Sequence, residues 1–462
     1  MLKMIHGRQE ERLPADKEMI YIKDAAWPVP FKAGLEYNSP CHGPWNIVHI
    51  GMAVPGSHQI YVCGANCNRG VVLTAAEMKA SHRYSTLALF EEDLTGADME
   101  SLVIDGVTEI IEKLPEKPPL VFVFTVCVHR FMGLDLSYIY SVLRERFSDI
   151  IFVESAMEPI SQKGGLTPEQ RLRDGMHSFL TARRSGRGDQ NQNCNEPGKK
   201  QISIIGGDFP IEEGSEIKLM MREAGILIRE SSSCQSFEEY LSMGDSSLFL
   251  CCYPTAVYGV EKLAKRLGKP WLYLPDSFSY DEIRQQIKRL EGQLQSLTGK
   301  KCTVDHETLV LECEQALEET RNLIGETGIA IDASAVPRYL GLARLLLTHG
   351  FHVIRLYGDV FSPEEKEDYH WLIRHAPDLT ICPTIHPGMR VFPRGQEEKV
   401  LAIGQKAAYF HQTPYFVNIV QGAGLHGYDG IKKLAKMMRE AFLAKKDTRD
   451  LVGRKGLGCE TY

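Results

Sequence analysis

Short apolar runs and amphipathic stretches alternate along most of this chain. The runs are PPLVFVFTV, DIIFVES, KQISIIGG, DSSLFLCCY, PWLYLPD, GIAIDAS, FHVIRLYGD, DLTICP and PYFVNIV. Each is short, rich in β-branched and aromatic residues, and bounded by Gly, Pro, Asp or Ser. That pattern predicts strands buried on both faces. Between them lie helical patterns such as EIKLMMREAGI, VYGVEKLAKRLG and VPRYLGLARLLLTHG, the last two closing on Gly268 and Gly350. Glycine after the last periodic residue suits a helix C-terminal cap. Strand–helix alternation predicts parallel α/β sheets.

Two segments break this rhythm. TARRSGRGDQNQNCNEPGKK (181–200) has almost no apolar residues and reads as a linker or exposed loop, whereas 282–323 is long, charged and helix-prone. The first 40 residues are polar and broken by Pro14, Pro28, Pro30 and Pro40. The expected architecture is therefore α/β, with three Rossmann-like, doubly wound parallel-sheet domains around a central cleft. Their boundaries are an N-terminal arm at 1–40, domain I at 41–195, domain II with a helical extension at 196–325, and domain III with a tail at 326–462. A length of 462 residues agrees with about three domains.

Composition narrows the functional classes. Lys+Arg is 53 against Asp+Glu 60, a net charge of −7, which excludes a generally basic nucleic-acid binder. The longest apolar run, Leu120–Val128, is nine residues, short of the roughly 20 that span a bilayer. The N-terminus MLKMIHGRQEERLPADKEM lacks the apolar core of a secretory signal, so a cytoplasmic protein is expected. In that setting the 12 cysteines are read as buried thiols, metal ligands or redox thiols rather than disulfides.

Three constellations carry candidate chemistry. The first joins Cys41 in CHGPWN, Cys63 and Cys67 in HQIYVCGANCNRG, and Cys127 in TVCVH, with spacings of 22, 4 and 60. Thiolates are soft anionic ligands suited to iron–sulfur clusters, and nearby glycines let the backbone turn tightly around one. Tetrahedral zinc is the rival, although structural zinc usually uses two tight knuckles rather than one loose pair and two distant singles. The second is GDSSLFLCCYPTAVYGVEKLAKRLGKPW, in which Cys251 and Cys252 end a strand and point to opposite faces, into the core or toward a cleft. The third is LHGYDG, with His426 as an accessible ligand or proton donor and Asp429 placed to cap the following helix. Thr167 and Pro168 in GGLTPEQ read as a helix N-cap and first helical residue. Ligands in doubly wound units bind beyond the carboxyl ends of strands, where Cys127, Cys251, Cys252 and Cys382 fall.

In this order the motifs resemble component 1 of the nitrogenase family, two-component metalloenzymes that include the light-independent protochlorophyllide reductases. The resemblance runs over roughly 40–445. Cys41, His58-x4-Cys63 and Cys127 follow the order of that family's bridging-cluster ligands, and Cys67 is additional, so either Cys63 or Cys67 fills the middle place. The stretch Cys252 to Trp271 resembles the segment bearing the family's active-site cofactor cysteine, and LHGYDG resembles its HGFDG turn. The stretch YFVNIVQGAG departs from the family, having no histidine where nitrogenase completes cofactor ligation.

The resemblance implies an oxidoreductase subunit that receives electrons from an ATP-dependent nitrogenase-reductase-like iron protein. This chain has no GxxxxGK[ST] loop and is not that ATPase. The implied cofactors are an iron–sulfur cluster, [4Fe-4S] or larger and bridging, on Cys41, Cys63, Cys67 and Cys127, and a second complex metallocluster at Cys252. Cys252 and His426 are the implied catalytic residues. The implied assembly is a homodimer, or a heterotetramer with a paralogous chain, with no nucleic acid or membrane. The alternative within the same family is a scaffold for assembling iron–sulfur cofactors.

Overall fold

The computed structural model of the protein describes residues 12–34, 37, 47–96, 98–157, 165–182, 200–395 and 399–447. Cys41 and most of the 181–200 linker lie outside the described residues.

The apolar runs form three sheets. The first contains β2 (His58–Cys63), β3 (Tyr84–Ala88), β4 (Leu120–Val126) and β5 (Ile151–Met157), in the order β3-β2-β4-β5. The second contains β6 (Gln201–Ile205), β7 (Leu227–Glu230), β8 (Leu248–Cys251) and β9 (Trp271–Tyr273), in the order β7-β6-β8-β9. Every pairing in both sheets is parallel. The third sheet is built from β10 (Gly328–Asp332), β11 (Val353–Tyr357), β12 (Thr380–Cys382), β13 (Val400–Ile403) and β14 (Phe416–Val417). It also takes in β1 (Ile20–Tyr21) from the N-terminal arm, so its order is β1-β12-β11-β10-β13-β14. β1 is antiparallel to β12, and the other pairings are parallel. The expected α/β class of doubly wound, Rossmann-like sheets is therefore present, with one antiparallel edge strand added.

Strand order locates the places where chemistry can occur. In the first two sheets the chain starts at an inner strand, steps to one side, then crosses back to the other. The switch points fall between β2 and β4 and between β6 and β8, where diverging connections leave a crevice at the carboxyl ends of the strands. In the third sheet the corresponding point lies between β10 and β13. Gly404 there adopts φ +107°, and a β-carbon on it would stand 2.2 Å from the buried Asp332 carboxylate. That carboxylate accepts from Ser334 N, Ala335 N and Ala407 N, so the chain itself fills this third crevice.

One apolar core spans the second and third sheets and includes Leu290, Leu294, Cys313, Leu317, Leu434 and Met438. The helix-prone connection forms two helices, Tyr280–Thr298 and His306–Ile324, which pack in this core beside the last helix, Gly427–Leu443. A second core joins the first and second sheets through Tyr61, Phe124, Met176, Tyr240 and Phe249. Helix Pro168–Ser178 closes this interface with the expected cap: Thr167 Oγ1 accepts from Gln170 N and Gln170 Oε1 accepts from Thr167 N. Gly259 lets helix Val257–Leu267 approach it, since a β-carbon there would lie 2.9 Å from Asp174 Cα. No described helix is long and apolar enough to cross a membrane.

The same interface contains a pH-sensitive group. His177 is buried, with Nδ1 3.2 Å from the Tyr240 hydroxyl, and burial followed by the charges of Arg173 and Arg266 pushes its pKa down to about 3. The unfolded chain titrates near 6.5, so it binds the extra proton first as the pH falls. The fold should lose stability between about pH 6.5 and 3, by up to about 1.4 kcal/mol per unit of pH from this group. Burial raises Glu365 to about 7 and Asp276 to about 6, which works in the opposite sense: their contribution falls as the pH rises through those values. Urea unfolding of His177→Gln beside the unmodified chain from pH 7 to 4 isolates the histidine. The expected result is a flatter loss of stability toward acid, and an identical slope would refute the assignment.

Candidate functional site

Two of the three switch points hold the candidate chemistry. At the first, Cys63 is the last residue of β2 and fully buried, and Cys127 immediately follows β4, the adjacent strand. Cys67 is exposed in the first turn of helix Ala65–Glu77, which starts two residues after β2. Asn68 ties that turn to the neighbouring strand by donating to Thr86 Oγ1 at 2.8 Å. Three expected ligands thus come to one sheet edge. Their thiols feel one another: burial, then the charge of Cys67, pushes Cys63 up to about 11, and burial, then the charge of Cys127, raises Cys67. Raised in this way, the Cys63 and Cys67 thiols are held neutral without a metal, and cluster binding would release their protons.

The donor chemistry fits an iron–sulfur group. Three soft sulfurs converge where a crevice is expected, and two of them, Cys67 and Cys127, are exposed or half-exposed. Among the described residues no group of three His, Cys, Asp or Glu side chains is placed to hold a metal ion. Cys41, the fourth expected ligand, lies outside the described residues. Phe90 after β3, and Phe131 and Met132 after β4, are exposed along the same edge, at 63%, 74% and 46%.

At the second switch point, Gly206 and Asp208 follow β6 and Cys252 follows β8. Cys251 and Cys252 do face opposite ways. Cys251 is buried in the core shared with the first sheet, its thiol donating to Tyr253 O, whereas Cys252 is half-buried and lines a cavity of about 30 Å³. Burial, then the charge of Cys251, raises the Cys252 thiol well above its ordinary range. This cavity does not fit a complex metallocluster. It has room for one or two non-hydrogen atoms, offers one thiol, and is otherwise bordered by carboxylates and neutral groups.

His426 is elsewhere. The sequence predicts an accessible side chain, but it is 5% exposed, and its Nε2 donates to Leu274 O at 3.0 Å. It occupies the N-cap position of helix Gly427–Leu443 itself, which displaces Asp429 from the expected capping role. Asp429 stands in the first turn, 2.8 Å from Lys433 Nζ, with its backbone N donating to Glu216. His426 does not line the Cys252 cavity. Asp276 stands between them, bordering the cavity and lying 3.9 Å from His426 Nε2. Burial raises the Asp276 carboxyl to about 6, against the lowering charges of His426 and Arg338. Sequence reasoning misses Asp276, although its place at the end of PWLYLPD, beyond β9, is a usable signal.

A buried charge cluster also escapes the sequence. Arg173 donates to Gly206 O and to Asp208 Oδ1, each at 2.7 Å, and to Glu169 at 3.0 Å, and its guanidinium lies 4.8 Å over the Tyr253 ring. His49 Nε2 stands 3.1 Å from the other Asp208 oxygen. Burial alone would raise Asp208, but the charges of Arg173 and His49 outweigh it and hold the carboxyl below its usual range. The cluster fastens the first sheet's helices to the mouth of the second crevice.

Known proteins agree with this architecture. The family model described as "Nitrogenase component 1 type Oxidoreductase" matches residues 49–443. A search of curated proteins found no match. Among solved structures, "Nitrogenase Cp1 at pH 6.5" superposes with a TM-score of 0.63 at 14% identity, covering 89% of this chain and 94% of that one. "Nitrogenase Cp1 at pH 5" gives 0.55 at 12% identity, covering 92% and 93%. At such identity the structures establish a shared fold, while the family model, spanning most of the chain, establishes kinship. This chain therefore belongs to the nitrogenase component 1 type oxidoreductases, a family that usually carries iron–sulfur clusters and generally works in oligomers with an iron-protein reductase.

Proposed function

We propose that this chain is the electron-accepting subunit of a nitrogenase-like reductase in the cytoplasm, with the three-domain division at 41–195, 196–325 and 326–462. Cys63, Cys67 and Cys127, with Cys41, would hold an iron–sulfur cluster, which supplies one-electron transfer when bound. The partner delivering electrons would be an ATP-dependent iron–sulfur protein. The observation that carries this reading is the convergence of Cys63, Cys67 and Cys127 at the β2/β4 switch point. The exposed Phe90, Phe131 and Met132 along that edge support a second subunit, a copy or a paralogue, covering it. Such a cover would keep water and oxygen from the sulfurs. The substrate would bind at the second switch point, near Cys252.

The test is iron and acid-labile sulfide per chain on protein purified without oxygen, with an electron paramagnetic resonance spectrum after dithionite. About four irons per chain or fewer is the expected result for one relay cluster. Cys63→Ala and Cys127→Ala should each lower the iron and alter the spectrum. Unchanged iron in both would overturn the assignment. Iron that passes intact to an acceptor protein, with no reduction of any substrate, would identify an assembly scaffold instead.

A further inference from the structure

The cavity beside Cys252 is bordered by acceptors that have no partner among the described residues. No described Lys, Arg or His side chain lines it, yet Asp208, Glu230 and Asp276 all do. Two of these carboxylates are already balanced: Asp208 by Arg173, and Glu230 by Lys218, whose Nζ is 2.7 Å away while Ile211 N donates to the other oxygen. Among the described residues the Asp276 carboxylate has no cation at hydrogen-bond distance, since Arg338 donates to its backbone carbonyl instead. The nearest cation-forming side chain among the described residues is His426 at 3.9 Å, beyond hydrogen-bond reach. Beside it, Ser232 Oγ and Gln421 Oε1 are buried atoms with no hydrogen-bond partner among the described residues. Buried polar atoms are almost always paired; Gln421 Oε1 can only accept and the Ser232 hydroxyl can accept, so one donating group would satisfy both.

The backbone holds this arrangement under strain. Residues 421–424 all have positive φ, at +52°, +78°, +46° and +76°, although Gln421 and Ala423 are not glycine. Gln421 N and Gly422 N donate to Ser334 O and Ala335 O, which pins the turn to the third sheet. A β-carbon on Gly422 would lie 2.9 Å from Asp276 Oδ2, so glycine there leaves the carboxylate its place. Strain of this kind persists where surrounding structure fixes it, and it clusters at ligand sites.

We propose that this cavity is a binding site for a primary ammonium group: the ammonium ion, methylammonium, or the amine head of a small ligand. Three N–H donors would meet Asp276, Gln421 Oε1 and Ser232 Oγ, and one positive charge would meet the Asp276 carboxylate. A cavity of about 30 Å³ admits a head of one or two non-hydrogen atoms and excludes a quaternary ammonium. Half-buried Cys252, Ser232 and Gln421 leave it reachable from the surface. The site stands apart from the cluster cysteines and does not depend on iron being present.

The experiment is a thermal-denaturation titration of the full chain, purified without oxygen, with ammonium, methylammonium, sodium and tetramethylammonium chlorides at constant ionic strength. Iron is assayed on the same samples, so a failed cluster assignment is read separately from a failed cavity assignment. The expected result is saturable stabilisation by ammonium and methylammonium only. Asp276→Asn should weaken the response at least tenfold, and the near-isosteric Gln421→Glu should tighten it by adding a second charge. Equal responses to sodium, no saturable response, or midpoints unmoved by both substitutions would each overturn the proposal.

Discussion

Arg173→Ala is expected to be among the most damaging single substitutions in this protein, costing roughly 3–5 kcal/mol. The guanidinium is 2% exposed and makes hydrogen bonds to Glu169, Asp208 and the Gly206 carbonyl. Alanine would leave Asp208, whose side chain is 3% exposed, with only His49 beside it. It would also free Glu169, which otherwise accepts from Thr255 Oγ1 at 2.6 Å as well. A buried carboxylate without its cation costs more than the pair contributes, because desolvation is no longer offset. Denaturant unfolding followed by far-ultraviolet circular dichroism would show the loss at lower denaturant than the unmodified chain. Asp208→Asn added to Arg173→Ala should recover part of it, because the residual charge is then gone. If the single variant unfolds with the unmodified chain, or the second substitution deepens the defect, the charge-cluster account is wrong.

Gly424→Ala should follow closely, at roughly 2–5 kcal/mol, from two additive sources. Its φ of +76° disfavours any residue with a β-carbon. That carbon would also meet Pro210 O at 2.0 Å, a backbone atom that cannot rotate away. Gly424 O accepts from Glu212 N at 3.0 Å, so relieving the clash means parting the second and third sheets at this contact. The variant should unfold at lower denaturant and bind ammonium more weakly, because Gln421 belongs to the same turn. Gly268→Ala, at a φ of +63° but with nothing within 4 Å of the added carbon, serves as the control for backbone strain alone. Equal losses in both variants would remove the steric part of the argument.

Signals confined to a few neighbouring residues are legible in the residue pattern alone. The nine apolar runs all contain strands, Thr167 caps its helix, and Gly268 takes the left-handed conformation that closes another. Each depends on periodicity or on a bond spanning three or four residues. Elements with mixed signals are harder to read. HQIYVC stands out for its histidine and cysteine, yet it is β2, an inner strand of the first sheet, and VLAI within QEEKVLAIGQ is β13. Both are short and set among polar residues, so pairing with neighbouring strands, rather than local pattern, decides them.

The class of fold, the thiol inventory and the order of motifs that mark the family all follow from the residues in their linear order. Which residues meet does not. Strand order alone placed Cys63 beside Cys127 across 64 positions, and put Cys252 at a crevice with Asp276 while burying His426 outside it. The partnership of Arg173 with Asp208 also bridges two sheets. Patterning is written locally because each helix or strand must bury its own face. Site chemistry arises where loops from separate sheets converge, and that convergence is set by long-range packing.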